Sequence, residues 1–220
     1  MVTLASPDTS DFRARLKPLY PTDIYGPANA GIMTILNDTN GVIFPYTPTI
    51  GFSQAVNYAD LSLVHSNSDY PAYVRTPSVT LSVSGKFTVQ NEREGNYALA
   101  VIHFLRTVSK SYFGKTDEAA GKAGLPPPIL EFSAYGAYMY NNLRCILKSH
   151  AWSYDETMDT IVVSVPALNG NPATSVRLPP LFTIQMELQV VQTPTRMREE
   201  FSFDAFASGK LMGSSSGGWI

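Results

Sequence analysis

Three things are scarce in this sequence, and each scarcity closes off a class of function. There is one cysteine, Cys145, so no internal disulfide can form, and no secretory leader opens the chain. Together these predict a protein made and folded in a reducing cytoplasm. No apolar run reaches the roughly 18 residues a membrane-spanning helix needs, so a soluble chain with no membrane partner is expected. Charged residues are only 15% of the chain and the formal net charge is -2. That balance lacks the basic excess with which a tight nucleic-acid binder replaces phosphate counterions. It does not prevent nucleic acid from passing alongside.

Recognisable chemistry is equally scarce. Gly114-Lys115-Thr116 ends like a phosphate-binding loop, but Ser109 stands where that motif needs its first glycine. The tripeptide also follows a predicted helix instead of preceding one, and there the dipole repels anions. His65, His103 and His150 fall on separate patterns with no cysteine partner at metal-ligand spacing. Cys145 sits in a strand pattern, where a small core residue is the default. The acids cluster as Glu92 with Glu94, as Asp155, Glu156 and Asp159, and as Glu199 with Glu200. These resemble a helix start and two surface turns, and no pair stands out as a hydrolase's. No glycine-flanked serine elbow occurs. The reading is of a structural protein that is not an enzyme, with no catalytic, metal or cofactor-binding residue assigned.

What is present is strong periodicity. Val79, Leu81, Val83, Phe87 and Val89 alternate with Thr80, Ser82, Ser84, Lys86 and Thr88, a half-buried strand. At Asn91 the period changes. Asn91 with Glu94 forms a capping box, and Ala98, Val101, Ile102, Leu105, Val108 and Tyr112 recur at helical spacing, which predicts a helix over 91–113 with Gly114 as its C-cap. A second long strand is predicted over 181–192, where Phe182, Ile184, Met186, Leu188 and Val190 alternate with Thr183, Gln185, Glu187 and Gln189.

Around these, residues 1–30 carry Pro7, Pro18, Pro21 and Pro27 without a period and read as an extended N-terminal arm. Residues 31–206 read as one β domain. Short apolar pieces at Ile32–Leu36, Val42–Tyr46, Phe52–Leu63 and Tyr73–Arg75 are expected to be strands before the long one. The loop 115–128, with its triple proline, is expected to project. Strands follow at Ile129–Phe132, Leu143–Trp152 and Thr160–Val165, then a turn at Asn169-Gly170-Asn171-Pro172. Phe201, Phe203 and Phe206 offer a last apolar anchor, and 207–220 reads as a flexible Gly/Ser tail. The sum is a mainly β fold with one long helix, antiparallel, with no repeat and no βαβ alternation.

Two polar surfaces stand out. Thr80, Ser82, Ser84, Lys86 and Thr88, with Thr183, Gln185, Glu187 and Gln189, are hydrated yet nearly uncharged, so nucleic acid could slide past without being held. An ordinary solvent face would read the same way. His103, Arg106 and Lys110 form a modest basic stripe at helical spacing, facing solvent or an interface.

The run Ala100-Val101-Ile102-His103-Phe104-Leu105-Arg106-Thr107-Val108, then Tyr112-Phe113-Gly114, then Pro126-Pro127-Pro128 followed by Ile129-Leu130-Glu131-Phe132, carries a resemblance, together with Ile43-Phe44-Pro45-Tyr46-Thr47-Pro48 upstream. These segments resemble the baseplate tail-tube initiator and tail-tube junction proteins of contractile-tailed bacteriophages, over most of residues 42–206. The resemblance implies an antiparallel β-sandwich or barrel of the tail-tube type with a flanking helix, assembled as a homohexamer ring in the virion. It implies a template at the baseplate hub, or on an adjacent initiator-like ring, from which the tail-tube protein polymerises. The tape-measure protein is a further implied partner, and DNA passes without specific binding. The strands 78–89 and 181–192 would line the channel, and His103, Arg106 and Lys110 would touch a neighbouring subunit. The arm, the loop and the tail would reach adjacent subunits or rings. Two other readings stand beside it: a small-ligand or carbohydrate-binding β-sandwich module, and a hydrolase.

Overall fold

The two long alternating stretches lie side by side in one sheet. The computed structural model describes residues 12–25, 31–156, 158–165, 167, 172–213 and 217–220. In chain order the first elements are β1 (Arg15–Pro18), α1 (Pro21–Tyr25), a 3-10 turn (Ile32–Thr34), α2 (Ile35–Thr39), β2 (Val42–Ile43) and β3 (Thr49–Ser53). Then come β4 (Asn57–Leu61), β5 (Tyr70–Arg75), β6 (Thr80–Thr88), α3 (Glu92–Val108), α4 (Lys115–Ala119), β7 (Leu130–Ala134) and β8 (Tyr140–Tyr154). The last are β9 (Ile161–Val165), β10 (Thr174–Leu178), β11 (Leu181–Val190), α5 (Pro194–Glu199) and α6 (Phe203–Ala207). Strands β2-β1-β7-β8-β11-β6-β3 make a seven-stranded sheet, and the pairs β4-β5 and β9-β10 are separate hairpins. The fold is mainly β and antiparallel, as expected. The sheet is open, so the barrel alternative does not hold for the single chain.

One face of the sheet is buried under α3. Leu81, Val83 and Phe87 of β6 and Phe182, Ile184, Met186 and Leu188 of β11 join Ala98, Val101, Ile102, Leu105 and Val108 of α3 in a single core. Each such side chain contributes about 1.5–3 kcal/mol by leaving water. The alternation in β6 skips position 85 for a reason that lies elsewhere in the chain. A Cβ on Gly85 would stand 2.4 Å from the Phe44 ring, which occupies that place in the core. Phe44 and Phe87 lie 5.6 Å apart, and Phe87 stacks on Phe182 at 5.6 Å. At the start of α3, Gly95 leaves room for Val163 of the β9-β10 hairpin, whose nearest methyl would meet a Cβ at 2.3 Å.

The helix starts where the capping box placed it. Asn91 accepts from the Glu94 amide at 2.9 Å, and the Glu94 carboxylate accepts from the Gln90 amide at 2.9 Å. It ends early, at Val108. The Thr107 and Ser109 hydroxyls donate to the His103 and Arg106 carbonyls, so side chains take acceptors of the last turn. Ser109 therefore caps α3, and neither Tyr112 nor Gly114 belongs to it.

Several expected boundaries move. The expected arm 1–30 contains β1, which sits between β2 and β7 with Leu16 0% exposed. Residues 1–11 and 26–30 lie outside the described residues, as do Asn169–Asn171 of the expected turn. Ile32–Leu36 is helical instead of a strand. Within the loop 115–128, expected to project, the chain turns back toward the end of α3: the Tyr112 amide donates to the Leu125 carbonyl, the Gly124 amide donates to the Tyr112 carbonyl, and Lys122 pairs with Asp23 at 3.1 Å. The expected flexible tail docks at its end, where Trp219 is 4% exposed beneath the Arg196 guanidinium at 5.1 Å; 214–216 lie outside the described residues. Phe203, expected to anchor, is 77% exposed, while Phe201 packs against Phe206 and Trp219.

Burial also fixes an alkaline response. The Cys145 thiol and the Tyr97 hydroxyl are held far above their ordinary values by desolvation, and the Tyr25 hydroxyl is pushed up to about 12 by the same cause. Tyr97 also bonds both backbone groups of Ile43, at 2.6 and 3.0 Å, tying α3 to β2. Above the ordinary values of 9.0 for the thiol and 10.0 for the phenols, the unfolded chain sheds these protons and the folded chain keeps them. The stability these three groups contribute is thus full below pH 9 and is lost as pH rises, by about 1.4 kcal/mol per pH unit per group. Urea midpoints measured from pH 8 to 11 should decline from about pH 9, and Cys145→Ala should delay the onset to about pH 10. A flat profile would contradict this.

Candidate channel face

The polar rows of β6 and β11 meet directly across the strand pair. Thr183 stands opposite Lys86, Gln185 opposite Ser84, Glu187 opposite Ser82, and Gln189 opposite Thr80. Thr88 lies at the end of the same row, where its hydroxyl meets the Tyr46 hydroxyl at 3.2 Å. The structure therefore gathers all nine sequence-derived candidates on the face away from α3. This follows from the strand period: with Leu81, Val83 and Phe87 turned to the core, the residues between must face outward.

The face is wider than the sequence indicated. On one side β3 adds Thr49, Gly51 and Ser53, opposite Ser84, Ser82 and Thr80. On the other, β8 adds Ser149, Ala151 and Ser153, opposite Glu187, Gln185 and Thr183. A mostly polar row of side chains, with Gly51 and Ala151 the exceptions named here, thus runs across four strands. A bulge between Glu187 and Leu188 inserts Lys148 into β8, and Lys148 pairs with Glu187 at 3.6 Å. Glu187 is thereby largely offset, leaving a hydrated surface of low net charge.

Both lateral borders of this four-strand face are open. β3 is the last strand of the sheet. β7 pairs with β8 only as far as Cys145, so among the described residues no strand covers the second edge of Ile146–Tyr154. Each border presents backbone N–H and C=O groups able to bond another strand.

The basic stripe lies on the opposite side. His103 and Arg106 are exposed on α3, and Lys110 is exposed in the turn after it. Arg106 does more than face water: its guanidinium covers the Trp152 ring at 5.0 Å, and His150 stacks on the same ring at 5.5 Å. His150 titrates below its ordinary value because burial, then Arg106 and Lys110, disfavour its charged form. The cluster runs along the uncovered half of β8. Trp152 was not singled out in sequence and His150 was weighed there only as a metal ligand, since only the three-dimensional pairing sets them beside Arg106.

The remaining candidates are dispersed. His65 is in the β4-β5 turn, with a left-handed φ of 63°, far in sequence and element from His103 and His150. Glu94 is engaged in the α3 cap, Glu199 approaches Arg198 at 3.7 Å and Glu200 bonds Arg196 at 2.7 Å. Among the described residues no helix is long and apolar enough to cross a membrane. No protein-family model matches the sequence, and no curated protein matches it.

Proposed function

We propose that this chain is a structural virion protein that forms a hexameric ring at the junction of baseplate and tail tube in a contractile-tailed phage. The ring templates tube polymerisation and surrounds the channel through which DNA passes. The observation that carries the reading is the four-strand polar face of β8, β11, β6 and β3, low in charge, backed by a helix and open at both borders. Six copies joined border to border make one continuous inner wall and leave no exposed strand edge around it. Threonine, serine and glutamine wet the wall, and too few cations line it to exchange for the counterions of DNA. The tail-tube protein meets one rim of the ring. The hub or an adjacent initiator-like ring meets the other, and the tape-measure protein occupies the channel before DNA does.

A template of this kind is useful only if it does not form at random. The isolated chain is expected to sediment as a small species at micromolar concentration and to enter hexamers when the hub is added. Stable hexamers of purified protein at low concentration would remove the claim that the hub organises the ring. A species that stays monomeric with hub present would remove the ring.

A further inference from the structure

We propose that residues 217–220 are a built-in plug in a peptide site at one rim of the ring, displaced on assembly by an extended Gly-Gly-aromatic segment of the baseplate hub. The inference rests on the ring reading and names a regulation within it.

The site lies beyond one end of the polar face. β11 ends at Val190, opposite Cys145, whereas β8 begins at Tyr140, so the first residues of β8 run past the end of β11. This is the end of the sheet marked by Thr80 and Gln189. The turn after α6 comes beside it, where the Asn141 side-chain amide donates to the Met212 carbonyl at 3.2 Å. Into this gap residues 217–220 fit as an added strand would. The Gly218 amide donates to the Asn141 carbonyl at 2.6 Å, and the Trp219 amide to the Leu211 carbonyl at 3.3 Å.

The walls are held without the plug. Arg196 is 4% exposed, and its guanidinium donates to Gln192 at 3.0 Å and to Glu200 at 2.7 Å. Phe201 packs on Phe206. The Trp219 ring lies against both walls, 5.1 Å from the Arg196 guanidinium and 5.5 Å from the Phe201 ring. The backbone leading to it has no room for side chains. A Cβ on Gly217 would stand 2.8 Å from the Asn142 carbonyl oxygen, and one on Gly218 2.8 Å from that of Met212. The site therefore selects two glycines followed by an aromatic ring.

The plug is an imperfect occupant. The Trp219 indole N–H is buried and no group among the described residues accepts from it, whereas a well-fitted tryptophan finds an acceptor. The plug's other apolar anchor, Ile220, is only partly buried. The connecting sequence Gly213-Ser214-Ser215-Ser216 adds no apolar side chain. A tethered occupant nevertheless competes at an effective concentration of about millimolar, so a free ligand meets a site that is mostly closed. A hub segment held at the rim by further contacts overcomes that competition, which ties ring formation to the hub.

The test uses the full-length chain. Gly218→Val sets its side chain against the Met212 and Asn141 carbonyls and should unseat the plug, while Trp219→Ala empties the slot without that conflict. A labelled, acetyl-capped peptide of residues 216–220 should bind each variant at least tenfold more tightly than the parent, read by fluorescence anisotropy. The same peptide with alanine for its tryptophan should not bind. With hub added, Gly218→Val should enter rings at a severalfold lower hub concentration than the parent; a plug that merely braces the fold predicts the reverse. Peptide binding to the variants no tighter than to the parent, binding that survives loss of the peptide's tryptophan, or an unchanged or raised hub requirement would each overturn the plug. A parent chain that forms no six-fold ring with hub present would overturn the ring reading, and the peptide measurement reports on the site in either case.

Discussion

Phe87→Ala is expected to lower the unfolding free energy by about 3–5 kcal/mol, a large part of the 5–15 kcal/mol that holds a typical domain together. Phe87 is fully buried and lies between two other rings, Phe44 at 5.6 Å and Phe182 at 5.6 Å. Removing it empties the centre of a layer that cannot collapse easily. The Phe44 ring already occupies the space over Gly85, and Phe182 is held by β11, paired on both sides. Urea unfolding measures the loss directly. Phe87→Leu keeps most of the volume and should cost much less. A loss below about 1 kcal/mol for the alanine variant would mean that the three rings do not form the centre of the core.

The second large effect concerns transport. Ser84→Lys with Gln189→Lys adds two cations to the polar face of each chain; in the proposed hexameric ring that makes about twelve, which can then exchange for DNA counterions. The two positions are chosen from the pairing: Ser84 stands opposite Gln185 and Gln189 opposite Thr80, so neither lysine faces another across the strands. Substituting Thr80, Ser84, Gln185 and Gln189 together would set lysines opposite each other in two pairs and confuse a folding effect with a transport effect. Particles carrying the double variant should assemble normally and deliver DNA more slowly, with the delay relieved as salt rises. Delivery at the parent rate, with the variant present in the particle, would count against this face lining the channel.

Much of the fold was legible because its two central strands and its helix carry long, clean periods. Leu81 to Phe87 and Phe182 to Val190 each announce a buried face, and Asn91 with Glu94 announces the start of α3. The nine polar candidates followed automatically, since one face of a strand implies the other. The parts that were not legible depend on contacts distant in the chain. β1 is only four residues with a proline at its end, too short for a period, and it becomes a strand because β2 and β7 flank it. Gly85 looks like a lapse in the alternation until Phe44 is seen in its place. The end of α3 turned on two hydroxyls, Thr107 and Ser109, that compete for helix carbonyls. The widening of the polar face by β3 and β8 depends on which strands are neighbours, and a bulge at Lys148 shifts the period of β8 midway. The docking of Trp219 against Arg196 was hidden by the Gly/Ser composition before it.

The most direct measurement is a reconstruction of the assembled baseplate and tube by electron microscopy, resolved well enough to trace strands. The expected result is a six-fold ring of this chain between baseplate and tube, with Ser84 and Gln185 facing the channel and α3 outside. A single copy per particle, a ring with α3 turned inward, or no density for this chain at the junction would contradict the account.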